Sequence, residues 1–140
     1  MSSCQCTRNV IHFIMDCESC VIYSGEKFIL EWYYDKTGNS IAYDYFLEMT
    51  REQRRKFLAL VKKMGDIGKI FDTTKFRNEG DGIFAFKPQP DRYLSFFTDN
   101  KRIIVTNGFK KKTEKLPKNE KELAMKYRKE YFERKTGGIE

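Results

Sequence analysis

The sequence predicts an α+β domain, and three observations carry that reading. Strand-like and helix-like stretches come in blocks: one β-branched and aromatic run, two amphipathic helical stretches, three more strand-like runs, then a basic helical stretch. The strand-like runs are separated by strong turn signals, Pro88 and Pro90 above all, because proline cannot donate to a ladder. The charge is also lopsided. Residues 101–140 carry 13 Lys/Arg against 6 Asp/Glu, a net +7, whereas residues 1–100 carry 14 of each and sum to zero. An excess confined to one segment predicts one positive face that attracts a polyanion.

In chain order, residues 1–26 read as an N-terminal arm. They hold all four cysteines, Cys4, Cys6, Cys17 and Cys20, and the single His12. C-x-C followed by C-x-x-C offers either zinc ligands or two disulfides. The alternatives are a poorly ordered arm, or a gene start set too early, with translation beginning near Met15. No cofactor or metal is expected. The arm lacks a basic region followed by an apolar run and a small-residue cleavage site. Nowhere does an apolar run approach the roughly 18–20 residues that span a bilayer. The expectation is a cytoplasmic protein that does not enter a membrane.

Residues 27–135 read as the domain. Lys27 to Tyr34, KFILEWYY, is the first strand. Asp35-Lys36-Thr37-Gly38-Asn39 is a turn, and Asn39 or Ser40 caps a short helix over Ile41 to Met49. Thr50-Arg51-Glu52-Gln53 has the capping-box pattern. The helix after it carries Phe57, Leu58, Val61 and Met64 on one face, and Gly65 and Gly68 end it. These two helices form a hairpin whose apolar stripe lies on a sheet. Arg54-Arg55-Lys56 reads as a solvated helix face. Lys69 to Gly82 reads as a polar connection. Ile83–Phe86, Tyr93–Thr98 and Arg102–Asn107 form an antiparallel meander. Lys118 to Lys135 is the last helix, with Leu123, Ala124, Tyr127 and Tyr131 on one face. Residues 136–140 are a short tail.

The stretches EWYYDKTGNSIAYDYFLEM, DGIFAFK, DRYLSFF and NGFKKKTEKLPKNEKELAMKYRKEY closely resemble the phage-derived HigB-like branch of the RelE/ParE toxin superfamily. The resemblance covers residues 27–134. Its most specific part is Gly108, Phe109, Lys111, Lys112, Thr113, Pro117 and Glu120. It implies a RelE-like α+β fold: a small twisted, mostly antiparallel sheet, an N-terminal helical hairpin packed on one face, and a C-terminal helix. It implies the toxin half of a toxin–antitoxin pair, an endoribonuclease (mRNA interferase) that cuts mRNA on the ribosome. The implied partners are a helix-turn-helix antitoxin, mRNA and the ribosome. Arg92 matches an arginine that opens the middle strand of the family's meander. Ala85-Phe86-Lys87 stands where the family has Glu-Leu-Arg, so a carboxylate is missing, and Ser95 stands where a tyrosine is common.

Cleaving RNA requires a base for the 2′-hydroxyl, neutralisation of the phosphorane and a proton for the leaving oxygen. Histidine is absent from the matched region, and acidic residues do not group at strand ends. Lysine and arginine are left. Arg92 suits the scissile phosphate, because its planar fork meets two oxygens. Lys87 and Lys111 or Lys112 are the candidates for base and acid. Phe109 and Tyr93 offer rings for an unpaired base, and Lys110 and Thr113 complete the RNA-binding set. Two other functions share these residues: a ParE-like gyrase inhibitor, and a non-catalytic nucleic-acid-binding module.

Overall fold

The computed structural model describes residues 20–113 and 115–137. They form a six-stranded mixed sheet with three helices. The elements run β1 (Val21–Ser24), β2 (Ile29–Trp32), α1 (Ile41–Leu47), α2 (Arg51–Ile67), β3 (Phe76–Gly80), β4 (Ile83–Phe86), β5 (Asp91–Phe97), β6 (Arg102–Lys110) and α3 (Lys118–Gly137). The strand order is β1-β2-β6-β5-β4-β3. Neighbours pair antiparallel except β2 and β6, which run parallel with Leu30 beside Ile103 and Trp32 beside Val105.

This corrects the expected architecture. The helical hairpin is not N-terminal: β1 and β2 come first, and α1 and α2 follow them. The sheet is larger than expected and mixed. β1 lies in the cysteine-rich segment read as an arm, and β3 lies in the segment read as a polar connection. Both are sheet edges with no fully buried residue, so neither shows the apolar run that marks a strand. The parallel pairing joins segments some seventy residues apart, where no local turn signal exists to announce it.

Capping explains the helix boundaries. The Ser40 hydroxyl accepts from the Tyr43 amide at 3.2 Å. Thr50 and Gln53 form both bonds of the capping box. Gly68 ends α2 in the left-handed conformation. Gly65 does not end the helix. It lies inside α2 against Gly25 of the β1–β2 turn, and its carbonyl accepts from the Lys27 amide at 2.7 Å. A Cβ on Gly25 would sit 2.3 Å from the Gly65 carbonyl carbon, so this close approach needs glycine.

The sheet has two dissimilar faces. One is covered by α1 and α2, and buries Leu30, Trp32, Phe57, Val61, Met64, Phe86 and Tyr93. The other carries α3, which buries Ala124, Tyr127 and Tyr131 against Ile83, Leu94, Phe96 and Ile104. No helix among the described residues is long and apolar enough to cross a membrane. Cys20 is buried just before β1. Cys4, Cys6, Cys17 and His12 lie outside the described residues.

Candidate functional site

Beside α3, the sheet stays open. A cleft of about 550 Å³ lies between the β3–β4 edge and the segment that links β6 to α3. Strand β5 contributes Arg92, strand β6 contributes Phe109, and the segment after β4 contributes Lys87 and Gln89. Beyond β6, Lys111, Lys112 and Thr113 line it, as do Lys115 just before α3 and Lys121 in its first turn. Thr74, Arg77 and Glu79 form the opposite rim.

Strand parity decides which side chains arrive. Arg92 pairs with Phe109, so the two share a face with Leu94 and Phe96. Arg92 is only 8% exposed. Its Nη1 donates to the Asp91 carbonyl at 3.0 Å and to Gln89 Oε1 at 3.3 Å, which fixes the direction of the guanidinium. The Gln89 amide donates in turn to the Thr74 carbonyl at 3.1 Å. Lys87 is half-buried, and its Nζ donates to the Thr73 carbonyl at 3.2 Å. Burial, and then the neighbouring Arg92 guanidinium, hold its pKa below the usual lysine range, while Glu79 works against them. The Lys111 amide donates to the Pro90 carbonyl at 2.9 Å, so the lysine segment is tied to the β4–β5 link. Glu120 holds the other end: the Asn107 amide donates to its Oε1 at 2.9 Å. Lys121 reaches the β3–β4 turn through an ion pair with Asp81 at 2.9 Å.

The structure therefore brings Arg92, Lys87, Lys111, Lys112, Phe109 and Thr113 to one cleft. It does not bring Tyr93 there. Tyr93 points to the opposite face, fully buried, with its ring stacked on Phe57 at 3.9 Å between centroids and edge-on to Tyr45. An RNA base cannot reach it, so its placement in the RNA-binding set is corrected. The strand alternation held this information, since adjacent residues of one strand cannot share a face. Lys110 is exposed at the end of β6, next to Asp91 and outside the cleft lining. Ser95 is buried on the Tyr93 side, and its hydroxyl donates to the Phe84 carbonyl at 3.1 Å. Ala85 is buried in the core under α3.

Sequence reasoning missed Arg77 and Glu79, because β3 itself was not legible, and Thr74, in the segment that leads into it. Arg77 lies directly across from Ala85 in the β3–β4 ladder. Among the described residues the lining holds seven cations, Arg77, Lys87, Arg92, Lys111, Lys112, Lys115 and Lys121, and one carboxylate, Glu79. Three of those cations come from residues 1–100, whose net charge is zero, so segment charge alone located only part of the positive surface. Seven cations around a concave, partly apolar cleft give a surface whose chemistry suits an extended phosphate chain.

The family model of the phage-derived protein Gp49-like (DUF891) matches residues 44–129, from α1 through most of α3. None of the curated proteins matches the chain. The matched segment includes every described residue that lines the cleft. The family is associated with RelE and toxin-like proteins. With well over half its length matched by that one model, the chain belongs to the phage-derived Gp49-like family.

Proposed function

We propose that the protein is the toxin of a toxin–antitoxin pair, of the HigB-like kind, and that it cleaves mRNA on the ribosome at this cleft. One observation carries the reading. A buried, hydrogen-bonded Arg92 and a lysine with a lowered pKa share a concave site with Phe109 and the Lys111–Lys112 pair. Arg92 binds the scissile phosphate, and its fixed fork costs no reorganisation as charge builds on the phosphorane. Lys87, in its amine form, takes the proton of the 2′-hydroxyl. Lys111 or Lys112 donates a proton to the leaving 5′-oxygen. Atoms balance: the 2′-oxygen bonds to phosphorus, the bond to the 5′-oxygen breaks, and one proton enters the site and one leaves. Phe109 offers its ring edge to an unpaired base. The antitoxin masks the positive surface with an acidic helix, so the complex weakens with salt.

The test is induction of the parent and of Arg92→Ala in cells, with mRNA 5′ ends mapped in ribosome-containing extracts with and without chelator. The expected loss for Arg92→Ala is on the order of 10²–10³ in rate. Equal growth arrest and cutting by Arg92→Ala would sink the assignment. Loss of parental cutting on adding chelator would overturn the metal-independent route. Growth arrest without cutting, together with inhibition of gyrase on relaxed DNA, would move the protein to the ParE-like class.

A further inference from the structure

Glu79 is out of keeping with its surroundings. It is the one carboxylate in the described lining of a cleft that holds seven cations. Even so, it makes no ion pair among the described residues. Its position is also irregular. In the β3–β4 ladder Asn78 pairs with Phe84 and Gly80 with Ile83, so Glu79 is an extra residue at a bulge. It still lies two residues from Arg77, so strand alternation puts both on the cleft side, and both line it. Here the residue is half-buried in the cleft while its neighbours Asn78 and Gly80 are exposed.

A carboxylate at this place repels phosphate. It weakens the binding of any polyanion, unless the ligand also brings hydrogen-bond donors to it. An ionised carboxylate only accepts. The donors of single-stranded RNA that suit two adjacent oxygens lie on the base edges, and guanine alone presents two neighbouring donors, N1–H and the N2 amino group, on one edge. The cleft already contains a ring for the face of such a base, Phe109.

We infer that Glu79 is a specificity-determining residue, accepting two hydrogen bonds from the Watson–Crick edge of an unpaired guanine held in the cleft. The inference rests on the cleft being the RNA site, but not on the cleavage chemistry. Its thermodynamic signature has two parts of opposite sign. Removing the carboxylate raises affinity for every single strand, because a negative charge leaves a phosphate site. It also removes the advantage of guanine over the other bases, because the paired acceptors are gone.

The probe is a set of four short 2′-fluoro oligouridylates that differ only at the central base, which is G, A, C or U. They keep RNA sugar geometry and lack the attacking hydroxyl, so binding is read without cleavage. Fluorescence anisotropy at one fixed salt concentration should show the parent binding the G oligonucleotide about tenfold more tightly than the U oligonucleotide, the discrimination of one good bidentate contact. Glu79→Gln and Glu79→Ala should bind all four more tightly than the parent, with the G preference reduced to about twofold or less. Glu79 is on an edge strand, and thermal melting of both variants checks that they are folded. A parent without base preference overturns the inference, and so does a preference kept in both variants. Failure of the parent to bind any of the four overturns both this inference and the cleft as RNA site. Guanine preference lost in the variants, with no mRNA cutting by the parent in cells, leaves this inference standing and removes the nuclease reading. Arg92-dependent cutting without base preference does the reverse.

Discussion

On one side of β5, Tyr93 is sealed between Phe57 and Tyr45 with no exposed surface. On the other side, its neighbour Arg92 holds a guanidinium at the edge of an open cleft. The α1/α2 face is a close-packed aromatic core, where shape decides stability. The cleft face collects like charges that repel one another and are partly desolvated, as the lowered pKa of Lys87 records. Such a cluster is unfavourable to fold around in the absence of its ligand. The helix-covered face offsets it. The comparison teaches that substitutions at these two adjacent positions of one strand should separate cleanly: stability changes at Tyr93, and function changes at Arg92.

The largest expected break in that comparison is Phe57→Ala. It removes a fully buried ring that touches Trp32, Phe46, Phe86 and Tyr93, and should cost about 3–5 kcal/mol. A urea or thermal melt reads it, and a loss under 1 kcal/mol would mean that this face is not the stabilising one. Gly108→Ala comes next. A Cβ there would lie 2.8 Å from the Tyr45 ring and 3.0 Å from the Tyr93 ring. The expected cost is about 1–3 kcal/mol, seen as a lower melting temperature. The same glycine adjoins Phe109, so this variant also tests whether core strain reaches the cleft. If RNA binding falls while the melting temperature is unchanged, the separation of the two faces fails.

Tyr45→Phe tests a strut that joins the faces. The Tyr45 hydroxyl donates to Asp91 Oδ1 at 2.5 Å, and the Gln53 amide reaches Asp91 Oδ2 at 3.3 Å. Asp91 is buried, and its carbonyl accepts from Arg92. Losing a hydrogen bond to a charged acceptor should cost about 1.5–3 kcal/mol. If the strut also aims Arg92, kcat falls with KM little changed.

Lys87 gives a pH test. Its pKa is depressed, so on titrating upward it loses its proton before an ordinary lysine does. RNA affinity should therefore fall as pH rises through that lowered value, while kcat rises over the same range if the amine is the base. Lys87→Arg stays charged, and should abolish both limbs while keeping binding at low pH. The smallest effect is expected at Arg55, whose exposed pairing with Glu52 on α2 should be worth under about 0.5 kcal/mol. Arg54, its neighbour in the basic run, is a poorer control than sequence suggests. It donates to the Phe46 and Leu47 carbonyls, and so caps the end of α1.

Much of this was legible in the residues. The capping box, the β4–β5–β6 meander and the buried stripe of α3 follow from periodicity and turn chemistry, which act within a few residues. What was not legible is non-local. Whether Ile29–Trp32 pairs parallel to β6 depends on the helices that separate them in sequence, not on either strand. β3, with Arg77 and Glu79, reads as a polar loop because an edge strand beside a cleft has no apolar face to display. Tyr93 was a different kind of miss. Its aromatic chemistry suited stacking on RNA, but its parity with Arg92 already excluded the cleft.

The parallel pairing of β2 and β6 has a consequence in time. β6 lies between β2 and β5, and it is the last strand in chain order. During synthesis, β1, β2, α1 and α2 emerge first and β3, β4 and β5 follow, but the two halves of the sheet have no common neighbour until β6 appears. Closing the sheet requires contacts between residues about seventy apart, and such closures are slow relative to local pairing. Until then Arg92 has no Phe109 beside it, and Lys87 has no Lys111 across from it. A growing chain on the ribosome thus carries an unassembled cleft, whose parts meet only after the middle of the sheet has been made.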